Sequence, residues 1–314
     1  MLINPAQPAE RRLRGLFVGL ATVDLAQRVA RRPGVDEKVV ALSSDVAAGG
    51  PATVAAVTFG ALGGHSVLLS ALGPGPLGRL AAGELDRAGV RIVDAWAAGA
   101  DLSISAITVL EDTGERSVVS RNAEDMTAVV PGDLPALTHD ADVVLLDGHH
   151  PNLAVAAAQT AQAAGVPVVL DCGSPKRVYA KLVGLADAIV CSASFVAGQP
   201  TGFDPEEPNA GGFDAVAAAL LASGARLVAM TAGAAPVRWW TREAAGAVEV
   251  PSVPVRDTLG AGDVLHGAVA FAQARGVTDP ERSLSFGVAV ASLRVQHVGP
   301  RAWLGDQRLR GLVG

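Results

Sequence analysis

The run Asp257-Thr258-Leu259-Gly260-Ala261-Gly262-Asp263 brings together, within one turn of chain, an anion site and a base. It lies between an extended segment, 253–256, and a helical run, 261–275. Glycines at 260 and 262 let backbone N–H groups turn inward without side-chain obstruction. A helix starting there adds its positive end, which suits a phosphoryl group in flight. Asp263 at the same helix start can accept a hydroxyl proton as the oxygen attacks. The same spacing also fits an N-cap aspartate in a glycine-rich strand-to-helix loop, and spacing alone does not separate the two.

A base and an anion site need a rigid frame. Apolar runs at 16–20, 67–71, 143–147, 167–171, 188–191 and 227–231 read as strands, and Ala-rich stretches at 51–62, 77–88, 153–164 and 214–223 as helices. Gly89, Gly165 and Gly224 supply helix stops. This alternation predicts βα units feeding a mainly parallel sheet, an α/β doubly wound sandwich in a single domain spanning 1–314. Two stretches break the pattern: 38–47, and 103–110 with 116–120 around the turn Asp112-Thr113-Gly114. They predict a small β-sheet lid, formed from about 38–47 and 102–121, able to exclude water from the chemistry. The Pro- and Gly-rich stretch 199–212 reads as a surface loop.

Half of the 314 residues are hydrophobic, yet no apolar run approaches the roughly 20 residues a membrane span needs. Arg11, Arg12 and Arg14 precede an apolar stretch that is broken at Asp24, too short for a secretory core, so a cytoplasmic protein is expected. A net charge of -6 argues against nucleic acid as the main partner. Any anion site must then be built from backbone amides and a few arginines. Cys172 and Cys191 read as buried thiols, a disulfide or half of a metal site being the alternatives.

Other residues have weaker claims. Arg116 and Arg121, on or beside the lid, are placed to reach an anionic group. His149 and His150 follow a strand end, where ligands of open α/β sheets bind, but no third ligand accompanies them and no metal site is expected. His266 reads as a packing residue, and so do Trp239 and Trp240.

The motif resembles the D-T-x-G-A-G-D signature of the PfkB, or ribokinase-like, carbohydrate kinases and matches every fixed position of it. The resemblance extends through Gly19, Asp24, Gly49-Gly50, Asp147, Asp171 and Thr231-Ala232-Gly233 in order. At subfamily level it is similar to ketohexokinase-like members, through G-L-x-x-x-D at 19–24 and F-G-V-A-V-A at 286–291. The resemblance implies a ribokinase-like fold, ATP and Mg2+ as cofactors, and phosphorylation of a sugar hydroxyl, a ketose being favoured. It implies that Asp263 is the base, with Gly260, Ala261 and Gly262 in the anion hole, and that Asp24, Gly49 and Gly50 position the sugar. Thr231, Gly233, Asp257, Thr258 and Gly299 would border the nucleotide, with any monovalent cation, K+ being the candidate, held by loop carbonyls near Gly299-Pro300-Arg301. A homodimer joined through the lid is expected, since a flap leaves open strand edges.

Three positions depart from the family pattern. Val54 stands where a sugar-binding Asn is common, which makes Thr53 the candidate for a replacement hydroxyl and Arg121 a candidate for a negatively substituted sugar. The N-x-x-E element appears as Ser192-Ala193-Ser194-Phe195 without its carboxylate, as in ketohexokinase-like proteins, and the loop 231–236 ends in Pro236 where glycine is usual. Alternatives are a kinase for a nucleoside or for a sulfonated or phosphorylated sugar, and a catalytically idle sugar- or nucleotide-binding sensor. A nucleotide-binding redox protein is excluded, because Gly19-Leu20-Ala21-Thr22 lacks the Gly-rich turn it would need.

Overall fold

The computed structural model describes residues 11–197 and 212–313, so that the loop expected at 199–212 lies, but for Gly212, outside the described residues. In chain order the strands are β1 (Arg14–Val18), β2 (Thr22–Val29), β3 (Ser43–Gly49), β4 (His65–Ser70), β5 (Arg91–Asp94), β6 (Trp96–Gly99), β7 (Ile104–Leu110) and β8 (Arg116–Ser120). They continue as β9 (Met126–Ala128), β10 (Val143–Leu146), β11 (Val168–Cys172), β12 (Ala188–Ser192), β13 (Leu227–Ala232), β14 (Ala235–Trp240) and β15 (Ala245–Val248). The helices are α1 (Pro51–Ala61), α2 (Pro76–Arg87), α3 (Leu134–His139), α4 (Pro151–Ala164) and α5 (Tyr179–Leu182). After them come α6 (Ala193–Ala197), α7 (Gly212–Ala222), α8 (Ala261–Ala274), α9 (Pro280–Arg294) and α10 (Gln307–Val313).

A nine-stranded sheet runs in the order β15-β14-β13-β12-β11-β10-β1-β4-β5, parallel except for the antiparallel β13-β14-β15 edge. Its central strands are buried throughout, Val143–Leu146 and Val168–Cys172, and apolar but for Asp171 near the carboxyl end of β11, as strands covered on both faces must be. Alternate residues serve opposite faces. Val144 and Leu146 join a core with Ala154, Ala157 and Ala161 of α4, whereas Val143 and Leu145 join one with Ala55, Phe59 and Phe271 of α1 and α8. Edge-to-face rings at 5.4 Å (Phe17 and Phe59) and 5.3 Å (Phe59 and Phe271) join sheet, α1 and α8.

Small residues let those two helices touch. A Cβ placed on Gly267 would meet the Ala55 carbonyl oxygen at 2.6 Å, so α8 lies against α1 backbone to backbone. That contact sets where α8 begins, and hence where Asp263 stands.

The lid differs from its expected outline. It is a separate four-stranded sheet, β3-β2-β7-β8, in which β2 pairs antiparallel with β3 and parallel with β7. The hairpin β7-β8 matches the expected one, but the strand placed at 38–47 is Ser43–Gly49. β2 was not foreseen, because only 19–21 separate it from β1 and the polar Asp24 reads as a break rather than as an alternating strand residue. Both cysteines are buried free thiols on adjacent strands, Cys172 opposite Cys191. Among the described residues no helix is long and apolar enough to cross a membrane.

Replacing Gly267 with alanine forces the new methyl into the α1 backbone, and overpacking of this kind costs about 1–3 kcal/mol. Thermal unfolding followed by circular dichroism should show a melting point lower by several degrees, with the secondary structure retained below it.

Candidate active site

The carboxyl ends of β1, β10, β11 and β12 face one edge of the main sheet, where open α/β sheets bind ligands. α8 begins at this edge. Gly260 sits at its N-cap with φ 70°, a left-handed conformation that an L side chain strains to adopt. The N–H groups of Gly262 and Asp263, in the first turn, have no carbonyl to bond inside the helix. A Cβ on Gly262 would meet nothing within 4 Å, so the space above these amides is open. A half-buried carboxylate, Asp263, stands beside it.

The surroundings of Asp263 raise its pKa to about 6, chiefly through burial and then through the negative charge of Asp171, with Asp24 adding a little. His266 and Arg116 pull the other way. Asp171 is the next-to-last residue of β11, and its Oδ2 lies 3.1 Å from His266 Nδ1, both side chains being buried. Distance and charge make this an ion pair, although the approach is off the line of a good hydrogen bond and each atom lacks a well-aligned partner. Burial disfavours the charged imidazole, but Asp171 and Asp263 outweigh it and raise the His266 pKa. Donor atoms of Asp171, Asp263 and His266 all lie within 4.8 Å of one another.

On the acceptor side, Asp24 projects from β2. Thr22 Oγ1 donates to its carboxylate at 2.7 Å, and burial raises its pKa against the opposing pull of Thr22, Ser105 and Arg301. Gly49 and Gly50 have structural reasons to be glycine. A Cβ on Gly49 would fall 2.1 Å from the Asp24 carboxyl carbon, and one on Gly50, at φ 98°, would fall 2.3 Å from the Leu20 carbonyl oxygen. These glycines hold Asp24 and the start of α1 in place.

Several expected site residues are engaged elsewhere. Thr53 is fully buried, and its hydroxyl donates to the Leu20 carbonyl at 2.9 Å, so it replaces no sugar-binding Asn. Arg121 is exposed and pairs with Asp125, four residues on in the loop after β8. Arg116 reaches the anion site instead, donating to Thr258 O at 3.2 Å and lying close to Thr258 Oγ1 at 3.3 Å. Asp257 is buried and bonded to Leu259 N–H, Gly299 N–H and Arg294, so it and Gly299 shape the loop rather than offer free groups to a nucleotide. Thr258 Oγ1 donates to Gly114 O at 2.9 Å. Thr231 and Gly233 lie where β13 turns into β14, Gly233 at φ 61°. Trp239 and Trp240 pack as expected, Trp240 under the Arg238 guanidinium at 4.7 Å. His149 Nδ1 lies 3.2 Å from Asp147 Oδ1, and His150 is buried at the start of α4.

Two residues beside Asp263 go beyond their sequence reading: Asp171, there only a point of family resemblance, and His266, there a packing residue. The i, i+3 spacing of Asp263 and His266, which puts them on neighbouring faces of α8, was the available signal. Two hollows lie at the opposite, amino ends of the strands, one beside Arg14 and His65 and one beside Pro167 and Asp187, and neither is part of this site.

A sequence profile described as "pfkB family carbohydrate kinase" matches residues 15–305. The chain belongs to the pfkB family. It is an ATP-dependent kinase of the carbohydrate kinase class. A ribokinase of Arabidopsis thaliana is 26% identical over 309 aligned residues, covering 93% of this chain and 79% of that protein. An ATP-dependent ribose-1-phosphate kinase of Halopiger xanaduensis is 29% identical over 180 residues, 56% of this chain and 60% of its own length. The solved Arabidopsis thaliana ribokinase complexed with ribose and ATP superposes with a TM-score of 0.76 at 23% identity, over 97% of this chain and 99% of that one, and shares the ribokinase-like fold.

The raised pKa fixes the direction of a pH profile. If Asp263 takes a proton from the acceptor it must be ionised, and kcat/KM should then fall as pH drops through about 6. In His266→Asn, which removes a positive neighbour, the acidic limb should move to higher pH. An unmoved limb would place His266 outside the electrostatics of the base.

Proposed function

We propose that this kinase transfers the γ-phosphoryl group of ATP to a hydroxyl of a sugar or sugar-like acceptor, with Asp263 as general base. The observation that carries the reading is the juxtaposition, in the first turn of α8, of unbonded amides facing open space with a carboxylate whose pKa is raised toward neutrality. The amides of Gly262 and Asp263 and the Arg116 guanidinium stabilise the migrating charge, the Ala261 amide being turned back to Thr258 O, while Asp24 accepts hydrogen bonds from acceptor hydroxyls and fixes their distance from Asp263. The lid sheet excludes water; its hairpin turn rests on the anion loop, with Thr258 N–H donating to Gly114 O at 3.0 Å.

Mg2+ would accompany the nucleotide. Segment 192–195 gives it no carboxylate, since Phe195 is buried and apolar, but the Asp171 carboxylate beside Asp263 suits an oxygen-preferring dication and is the group that would face it. Bound there, the ion would neutralise phosphate charge.

The acceptor favoured by the stretches shared with ketohexokinase-like proteins, 19–24 and 286–291, is a ketose. The ribokinase and ribose-1-phosphate kinase relatives favour a ribose-type acceptor, and Arg116 at the anion loop suits a phosphorylated one. The outer lid face carries exposed Val46, Ile104 and Val119, an apolar surface that pairing of two lids in a homodimer would cover. Use of ATP is in keeping with the expected cytoplasmic location.

ADP release measured with Mg-ATP over ketoses, aldoses, nucleosides and sulfonated or phosphorylated sugars should identify one acceptor class. Asp263→Asn should retain ATP binding and lose about 10²- to 10⁴-fold in turnover. Near-normal turnover in that variant would remove Asp263 from the chemistry. Gly49→Ala, which displaces the Asp24 carboxylate, should lower kcat/KM for the acceptor by about 10²-fold, since small misplacements cost that much.

A further inference from the structure

The resemblance to ribokinase-like kinases raises a monovalent cation held by loop carbonyls near Gly299. The residues at that place have their own occupant. Arg294, on the last turn of α9, is only 1% exposed, and its guanidinium points at the first residue of the anion loop. Its Nη2 donates to Asp257 Oδ2 at 3.1 Å; its Nη1 donates to the His297 carbonyl at 2.9 Å and lies 3.4 Å from the Asp257 carbonyl. One carboxylate and two main-chain carbonyls thus converge on a single buried positive charge. This is the oxygen set an alkali ion would need, and here it is spent on nitrogen donors.

Two features make the arrangement more than a chance ion pair. Asp257 is itself largely committed, with Oδ1 taking the Leu259 N–H at 2.8 Å and Oδ2 the Gly299 N–H at 3.1 Å beside the Arg294 guanidinium, so Oδ2 is filled and a single lone pair on Oδ1 is left for a metal. The only charged side chain contacting Asp257 among the described residues is Arg294, and a second cation pressed into the set would face a buried guanidinium that cannot lose its proton at any ordinary pH.

We propose that Arg294 is a built-in monovalent cation: its guanidinium occupies the Asp257 carboxylate and the carbonyls of Asp257 and His297, and the anion loop forms without a bound alkali ion. Potassium therefore does not fit this chain. The consequence for activity rests on the kinase reading above; the consequence for binding does not.

Three measurements at constant ionic strength test it. Crystals soaked in rubidium chloride should show no anomalous peak at the Asp257 carboxylate or the His297 carbonyl, and a peak there would overturn the proposal. The melting temperature should be the same in potassium and tetramethylammonium chloride, whereas a stabilisation specific to potassium, which only a native-state site produces, would overturn it. Phosphotransfer to the acceptor found in the panel should be equally fast in both salts, against the activation of about tenfold expected from a coupled cation site. If no acceptor is turned over, the kinase mechanism fails while the rubidium and melting results still decide this inference. Arg294→Ala empties the set and, where it folds, should gain a potassium-dependent melting temperature; should it not fold, the wild-type measurements stand alone.

Discussion

The Asp257 carboxylate is the interaction on which the phosphate end depends. It binds the Leu259 amide on one oxygen and the Gly299 amide with Arg294 on the other, at depths where water does not compete. Removing one member of such a buried pair typically costs about 3–5 kcal/mol, because the other is left charged and unpaired. The anion loop is therefore tied to α9 and to the C-terminal turn. Its successive residues face different ways: Asp257 inward to Arg294, Thr258 outward to Gly114 of the lid hairpin, Leu259 into an apolar cluster with Ala26, Ile107 and Val109 of the lid sheet. Gly260 turns the chain, and only then do amides come free. Fixing the first three residues is what allows the last ones to be left unbonded.

The acceptor end repeats the device with another buried aspartate. Asp147 Oδ2 accepts the Leu20 amide at 2.8 Å and the Ala52 amide at 3.1 Å, and Oδ1 accepts the His149 amide at 3.0 Å. Burial alone would raise its pKa, but His149 and Lys176 hold it well below the ordinary range, so it remains an acceptor at any working pH. It ties the end of β1 to the start of α1 and the end of β10. A Cβ on Gly19 would lie 2.0 Å from its Oδ1, just as one on Gly49 would strike Asp24. The glycines of this site make room for carboxylates of the protein itself.

Much of this was legible in the sequence where local chemistry and fold agree. The parallel strands declared themselves as uninterrupted apolar runs, the helices by alanine and a following glycine, and Asp257–Asp263 by its own spacing. Legibility failed where a residue's role is set by a distant partner. β2 was hidden because an alternating strand next to a continuous one looks like its frayed end. Thr53 offered a hydroxyl on paper, and the Leu20 carbonyl takes it. Arg121 and Arg116 look equivalent five residues apart, but only the strand register of β8 decides which meets Thr258. Arg294 carried no local signal, since a basic residue in the last turn of a helix ordinarily serves the helix dipole at the surface.

The charge distribution explains why the lid must touch the anion loop. Asp24, Asp171 and Asp263 crowd one edge of the sheet, and each makes the base harder to ionise or is itself hard to ionise there. ATP bound as proposed would bring further negative charge to the same place. His266 compensates from below and is fixed in the core; Arg116 compensates from above and is carried by the lid. A lid that lifted would take away a positive charge that lowers the Asp263 pKa, and Asp263 would be protonated more of the time. In the proposed mechanism a base ready to act only under a docked lid would activate the bound hydroxyl while water is excluded, which is the condition that separates a kinase from an ATPase.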